Sequence, residues 1–169
     1  MNIFDRCSEM NRATSELTKI IIKKMKKDGL TLATAESITA GGLASAITEI
    51  PGASDIFLGG ILAYSDTSKK KLLGISARTL ATSTAVSEVV AKEMAESART
   101  HFSCDYAIST TGVAGPGKAY GQRAGTVWIA IASKRETVTI SLSLSGDRDS
   151  IRKATIESAL ACLSRILTS

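Results

Sequence analysis

The sequence is poor in aromatic residues, histidine and cysteine, and each shortage excludes a class of protein. Only 4% of its 169 residues are aromatic, so its core must be mostly aliphatic and rich in alanine. Its three cysteines, Cys7, Cys104 and Cys162, are widely spaced and contain no Cys-x-x-Cys pair. This spacing argues against a disulfide framework and against a cysteine zinc site. No apolar run approaches the ~20 residues that a membrane-spanning helix requires.

The single histidine limits the chemistry that the chain can perform. A transition-metal site ordinarily uses several histidine or cysteine ligands, so no metal is expected. A Ser-His-Asp triad would have to use His101, which lies beside Phe102 near the end of a helical pattern, a typical place for a helix-end residue. A nucleophilic serine would therefore need another base, such as a lysine kept neutral by burial or by neighbouring cations.

Positive charge is in excess, with 21 lysines and arginines against 16 acidic residues, a formal net charge of +5. Much of it lies in residues 19–27 and 69–71. The first group is predicted to be the solvated face of an amphipathic helix, because apolar residues recur there at helical spacing (Leu17, Ile20, Ile21 and Met25). Interleaved aromatic residues and a nucleic-acid-binding motif are both missing, so nucleic acid is not an expected partner.

Strand-like and helix-like segments alternate along the chain. Strands are predicted at about 30–35, 57–64, 105–111, 125–133 and 137–144, and the last alternates in polarity like a half-exposed edge strand. Helices are predicted from residue 8 or 14 to 27, at 39–50, 66–72, 76–81 and 150–167, and from residue 86 onward. The fold class predicted is a single three-layer α/β/α domain over residues 1–169, with a mostly parallel, mixed sheet and with the N-terminal helix (1–28) as part of it. The N-terminus lacks a signal pattern, so a cytoplasmic protein without membrane association is expected.

The segment 35–42 places Ser37 between a predicted strand and a predicted helix. The start of a helix presents unpaired N–H groups and partial positive charge, which suit a nucleophile or a ligand-holding residue. Alternatively, Ser37 or Thr39 is simply a helix N-cap. Ligands in open α/β sheets bind beyond the carboxyl ends of strands, and Ser37, Tyr64 and Thr111 all fall near such ends. This convergence favours a functional serine.

The glycine-rich segment from Gly112 to Lys118 matches the first part of a P-loop. However, Ala119 replaces the serine or threonine that would hold magnesium, and a strand rather than a helix is predicted next. An ATP-binding loop is therefore not expected. The segment is either a backbone cradle for a phosphate or carbonyl group, or a tight connection between strands.

Several blocks, in order from Leu30 to Ile166, resemble the CinA C-terminal domain family. Lys69 takes the family's lysine position five residues after Tyr64. The blocks are residues 35–41, 51–54, 60–65, 73–75, 85–88, 111–117, 125–128 and 146–148.

The resemblance implies a function, because the characterised stand-alone members of this family are nicotinamide-nucleotide amidohydrolases. It implies hydrolysis of nicotinamide mononucleotide (NMN) to nicotinate mononucleotide and ammonia, with no cofactor and no metal. Ser37 would be the nucleophile, Lys69 the base and Tyr64 a proton relay. Arg148 would bind the substrate phosphate. The remaining substrate-binding residues implied are Glu36, Thr39, Gly41, Thr111, Gly112, Gly115 and Gly117. A homodimer is expected from the family.

The chain departs from the family pattern at Ala40, where glycine is usual, and at Gly42, where an apolar residue is usual. The loop 118–124 is about one residue short and has altered residues. The family also includes paralogues without demonstrated deamidase activity. Two alternatives therefore stand beside the enzyme: a nucleotide-binding or partner-binding module of the same fold, and a nucleic-acid-binding protein that uses the lysine-rich helix.

Overall fold

Helices and strands alternate in the computed structural model, which describes residues 3–168 and the side chains of residues 12–168. Within that part of the chain, six α-helices and one short 3-10 helix accompany five strands. The elements are α1 (Ile3–Asp28), β1 (Leu32–Glu36), α2 (Gly42–Thr48), the 3-10 helix (Ala53–Asp55), β2 (Phe57–Leu62), α3 (Asp66–Leu73), α4 (Ala77–Ser83), α5 (Glu88–Phe102), β3 (Tyr106–Gly112), β4 (Thr126–Ala132), β5 (Thr137–Ser143) and α6 (Arg148–Thr168).

The five strands form one sheet in the order β2-β1-β3-β4-β5. Strands β2, β1 and β3 are parallel, whereas β4 is antiparallel to both β3 and β5. This is the predicted mostly parallel, mixed sheet. In register, Glu36 at the end of β1 lies between Leu62 of β2 and Thr110 of β3. The carboxyl ends of these three strands therefore meet at one edge, as the sequence predicted.

Two helical layers cover the sheet, and their side chains differ in size. On one face α1, α2 and α6 pack mainly isoleucine and leucine against the strands. On the other face α5 uses small residues, so Ala91 and Ala95 approach Ala130 and Ala132 of β4 directly. The three-layer α/β/α fold and its aliphatic, alanine-rich core are thus confirmed.

Two details of the helices differ from the sequence prediction. Ile20 is 57% exposed, and Ile22 is buried in its place beside Ile21 and Met25, because positions 18, 21, 22 and 25 form the inward stripe. Helix α2 begins at Gly42 rather than near residue 39 because residues 37–41 form turns. The side chain of Cys7 lies outside the described residues, and Cys104 and Cys162 are free thiols.

Neither a membrane span nor a metal cluster is found in the described part of the chain. No described helix is both long and apolar enough to cross a bilayer. Nor do three His, Cys, Asp or Glu side chains come together there in a way that could hold a metal ion.

Candidate active site

Ser37 is the first residue beyond the end of β1. Its N–H donates to the carbonyl oxygen of Thr110 at 2.9 Å, which extends the β1–β3 pairing by one step. The Ser37 side chain is buried yet lines a cavity at this edge of the sheet. The neighbouring strand therefore fixes the backbone that carries the hydroxyl.

The start of α3 orients Lys69 toward Ser37. The hydroxyl of Ser65 accepts the N–H of Ser68 at 3.1 Å, and the hydroxyl of Ser68 accepts the N–H of Ser65 at 2.9 Å. This reciprocal cap fixes where the helix begins. Successive residues of a helix point about 100° apart. Consequently Lys69 is buried whereas Lys70 and Lys71 are exposed, as expected from the lysine run.

The Lys69 amine lies within a ring of three oxygen atoms. Its Nζ is 2.9 Å from the Ser37 hydroxyl oxygen, 3.0 Å from the carbonyl oxygen of Ala63 and 3.4 Å from that of Tyr64. The residue is only 1% exposed, and burial lowers the pKa of Lys69 below 10.5, although nearby Asp66 opposes this shift. A neutral amine donates two N–H groups to the carbonyls and keeps a lone pair that can accept the Ser37 proton.

Glu36 neutralises the N-terminus of α2, which the sequence had predicted to face Ser37. Its carboxylate accepts the backbone N–H groups of Gly41, Leu43 and Ala44 at 2.9, 3.0 and 2.8 Å. The side chain is 2% exposed and does not line the cavity. The helix end is therefore occupied by a residue of the chain itself, and Glu36 has a structural position rather than the expected substrate-binding one.

Thr39 and Gly41 also lie outside the cavity lining. The Thr39 hydroxyl lies 2.7 Å from that of Thr110, and its side chain is fully buried. Gly41 takes a left-handed conformation (φ 89°) immediately before α2. Such a φ favours glycine, so Gly41 shapes the turn after Ser37. The expectation that these two residues contact substrate has no support in their placement.

The cavity, of about 170 Å³, joins the serine–lysine pair to the loop that follows β3. The remaining expected residues all line it: Tyr64, Thr111, Gly112, Gly115, Gly117 and Arg148. Gly112 is required for space, because a Cβ there would lie 2.7 Å from the carbonyl oxygen of Thr126 and 2.9 Å from Cδ1 of Ile38. The Thr111 hydroxyl donates to the carbonyl oxygen of Ala85 at 2.6 Å, so its side chain anchors the cavity wall.

Arg148 and two tyrosines form the mouth of the cavity. Arg148 donates to the Tyr64 hydroxyl at 2.9 Å and to the carbonyl oxygen of Gly115 at 2.7 Å. Tyr64 is 56% exposed, and its hydroxyl makes no hydrogen bond to Ser37 or Lys69 among the described residues. The described part of the structure therefore contains no hydrogen bond through which the Tyr64 hydroxyl could relay a proton to or from Ser37 or Lys69. Instead its backbone carbonyl contacts the lysine.

Two residues of the site were missed in the sequence. Tyr120, in the altered loop, lines the cavity mouth and donates its hydroxyl to Asp66 at 3.1 Å. Arg152 binds the turn after Ser37 from α6. The only signal for Arg152 was its position four residues after Arg148, which places both on one helix face. Tyr120 had no signal, because a loop contact across 54 residues leaves no periodic pattern.

The other motifs do not contribute to this site. His101 is exposed in the last turn of α5, where its ring contacts Phe102, and it does not line the cavity. No helix follows Gly117 before β4, so the P-loop resemblance is excluded as predicted.

Comparison of the chain with known proteins identifies its family. The family model of the CinA C-terminal domain matches residues 14–167. The chain belongs to the CinA C-terminal domain family. A relative from Caldanaerobacter subterraneus subsp. tengcongensis, named as a competence-damage inducible protein, is 44% identical over 153 residues. That alignment covers 90% of this chain but 37% of the relative, so the chain spans little more than a third of its length.

Solved structures of similar proteins share the whole fold. The competence damage-inducible protein A from Klebsiella pneumoniae has a TM-score of 0.90 and 35% identity, covering 92% of this chain and 97% of that one. The competence/damage inducible protein CihA from Agrobacterium tumefaciens has a TM-score of 0.88 and 33% identity, covering 93% and 96%. The shared fold therefore accounts for nearly the entire chain in both of these solved structures.

Proposed function

We propose that this CinA domain is a serine amidohydrolase that converts nicotinamide mononucleotide to nicotinate mononucleotide and ammonia. One observation carries the proposal: the buried Lys69 amine lies 2.9 Å from the Ser37 hydroxyl oxygen. A nucleophile and a base within hydrogen-bond reach are the minimum for covalent amide hydrolysis. Burial favours the neutral, proton-accepting amine.

The reaction follows from this pair in two halves. Ser37 Oγ attacks the carboxamide carbon while Lys69 accepts the hydroxyl proton, which gives a tetrahedral intermediate. Lys69 then returns the proton to the amide nitrogen, the C–N bond breaks, and ammonia leaves an ester on Ser37. In the second half water attacks the ester carbonyl while Lys69 removes one of its protons. Lys69 returns this proton to Ser37 Oγ as the C–O bond to the serine breaks, and the carboxylic acid that is released gives its remaining proton to solvent to become the carboxylate.

The turn after Ser37 offers donors for the oxyanion of each intermediate. The backbone N–H groups of Ile38 and Thr39 make no hydrogen bond within the part of the chain that the structure describes. Buried N–H groups without partners are rare, so two together beside a buried serine are consistent with a substrate role. Of these two residues only Ile38 lines the cavity, so its N–H is the donor proposed for the oxyanion. An N–H of the residue after the nucleophile is a recurrent oxyanion donor.

The size of the cavity supports a substrate that enters by one end. At about 170 Å³ it is smaller than the ~300–1,000 Å³ of pockets that enclose a whole ligand. The carboxamide would lie inside near Ser37, and the ribose phosphate would extend to the mouth. There the guanidinium of Arg148 can form two parallel hydrogen bonds with a phosphate.

Ammonia release from NMN by the purified chain tests the proposal. We expect release by the wild type and its loss in Ser37→Ala and Lys69→Met, while Ser54→Ala, at an exposed serine on the 3-10 helix, retains it. No release from a folded wild type would refute the amidohydrolase. If Ser37→Ala released ammonia as fast as the wild type, Ser37 could not be the nucleophile.

A binding module without catalysis is the second candidate. The relatives are named for competence and damage induction rather than for hydrolysis, and the loop 118–124 departs from the family pattern. Binding of NMN or ADP-ribose without turnover, measured by calorimetry, would favour this candidate. Direct nucleic-acid binding would instead give an affinity that falls steeply with salt. Cytoplasmic location and a homodimer remain expectations.

A further inference from the structure

Arg152 binds the backbone immediately after Ser37. It lies in the second turn of α6 and is half-buried. Its Nε donates to the carbonyl oxygen of Ile38 at 3.2 Å, and its Nη2 donates to that of Thr39 at 2.8 Å. One guanidinium therefore bridges two consecutive peptide groups. These groups belong to the residues whose N–H groups lack partners.

The turn makes few hydrogen bonds within itself, and two side chains from outside it, Glu36 and Arg152, bind its backbone. The N–H of Ala40 donates to the carbonyl oxygen of Ser37 at 3.2 Å, a long bond, and the N–H of Gly42 donates to that of Thr39 at 3.0 Å. Within the described structure, the carbonyl of Ile38 has Arg152 as its single partner. Ala40 adopts a left-handed conformation (φ 50°), which is energetically unfavourable for a residue with a Cβ atom. Contacts from outside the turn, from Arg152 to two carbonyls and from the Glu36 carboxylate to the N–H of Gly41, hold this backbone in place.

The hydrogen bond from Arg152 to the carbonyl oxygen of Ile38 also affects how strongly an N–H group of the turn can donate. The carbonyl of Ile38 and the N–H of Thr39 belong to one peptide group. A cation that binds the carbonyl polarises the group and makes its N–H a better donor, because hydrogen bonds in series strengthen each other. The guanidinium keeps its charge throughout the accessible pH range. The same contact therefore holds the turn in place and strengthens the Thr39 donor, but of the two residues with free N–H groups only Ile38 lines the cavity.

We propose that Arg152 is a positioning residue for amide hydrolysis, which fixes the turn whose Ile38 N–H holds the oxyanion. This inference rests on the amidohydrolase proposed above. Arg152 does not line the cavity, unlike Arg148 one helical turn earlier, so it acts on the reaction through the turn and not through contact with substrate. Its loss should therefore lower kcat and leave KM nearly unchanged.

The test compares Arg152→Ala with the wild type in ammonia release from NMN. Removal of a single oxyanion donor typically lowers kcat by ~10²–10³, and we expect Arg152→Ala to lower kcat by about 10- to 100-fold because the donors themselves remain. KM should change less than about twofold and the pH dependence should not move, because Lys69 is untouched. Guanidinium chloride at millimolar, non-denaturing concentration should restore part of kcat by occupying the vacated position.

Two further variants keep the test decisive. Arg152→Lys retains the charge but cannot bridge both carbonyls, so an intermediate kcat at unchanged KM is expected even if Arg152→Ala folds poorly. Arg165→Met, at an exposed residue in the last turn of the same helix, is the control and should match the wild type.

The outcomes separate this inference from the proposed function. An active wild type with unchanged kcat in Arg152→Ala and Arg152→Lys would overturn the positioning role alone. A fall in kcat that follows only the loss of folded protein, without guanidinium rescue, would also overturn it. A folded wild type that releases no ammonia would remove both the amidohydrolase and this role.

Discussion

Replacement of Glu36 by glutamine separates two roles for the residue that precedes the nucleophile. The family resemblance implies a substrate-binding glutamate, whereas in the structure its carboxylate accepts three N–H groups at the start of α2. Glutamine keeps the length and shape of the side chain but removes the charge and one acceptor oxygen. If the structural role is correct, Glu36→Gln destabilises the fold.

The size of the effect follows from the hydrogen bonds. The N–H groups of Gly41 and Leu43 share one carboxylate oxygen, and that of Ala44 uses the other. An amide oxygen can still accept two N–H groups, but its NH2 group then faces the third, so at least one charge-assisted bond of about 1.5–3 kcal/mol is lost. We expect a decrease of about 2–3 kcal/mol in the free energy of unfolding. For a chain of this length that lowers Tm by roughly 4–12 °C.

Urea denaturation followed by circular dichroism measures this change. The matched control is Glu49→Gln, because Glu49 is an exposed glutamate at the C-terminal end of the same helix and should change stability by less than about 0.5 kcal/mol. In the folded fraction of Glu36→Gln, KM for NMN should stay close to the wild-type value, since the side chain does not reach the cavity.

One result would refute this reasoning. If Glu36→Gln is as stable as Glu49→Gln and its KM for NMN rises severalfold, the carboxylate binds substrate and not the helix end.

Three other expectations concern the base, the turn and the mouth of the cavity. Because burial lowers the pKa of Lys69, the folded chain binds fewer protons than the unfolded chain between that lowered pKa and 10.5. The free energy of unfolding should therefore rise with pH across this window, and urea denaturation of Lys69→Met should show no such rise. The rate of amide hydrolysis should also rise with pH as the amine loses its proton. Ala40→Gly should stabilise the fold by about 0.5–1 kcal/mol, measured by urea denaturation, because φ is 50° there; a destabilised variant would contradict this. Tyr120→Phe, which loses the bond to Asp66, should raise KM for NMN by roughly 2- to 10-fold without lowering kcat, and an unchanged KM would show that this contact does not order the loop.

The sequence predicted those parts of the molecule that depend on local pattern. Alternation of strand and helix predicted the layers, and the rule that ligands lie beyond the carboxyl ends of strands brought Ser37 and Tyr64 to one edge. Helical arithmetic predicted that only one lysine of residues 69–71 faces the site, and the structure confirms this for Lys69. These features repeat with a fixed period, so a single sequence carries them.

Contacts between distant segments could not be predicted in this way. The family resemblance implied that Glu36 binds substrate, and nothing in the neighbouring sequence shows that the N–H groups of α2 point at its carboxylate. The contact between Arg152 and the Ser37 turn spans more than 110 residues, and no periodicity records it. The resemblance implied a proton relay at Tyr64, yet its carbonyl contacts the lysine and its hydroxyl accepts a hydrogen bond from Arg148.

The placement of charge explains why this site would need both a buried lysine and a distant arginine. Because Glu36 already occupies the N-terminus of α2, the partial charge of that helix is not available to a developing oxyanion. The stabilisation must then come from the turn itself, and Arg152 is the cation that acts on that turn. In the proposed reaction Lys69 acts from the first step, in which it accepts the proton of Ser37. Once it has taken the serine proton, its three N–H groups would face the two carbonyls and the substrate-bound serine oxygen. The buried position that lowers the pKa of Lys69 would thus also provide three acceptors for the ammonium as it forms.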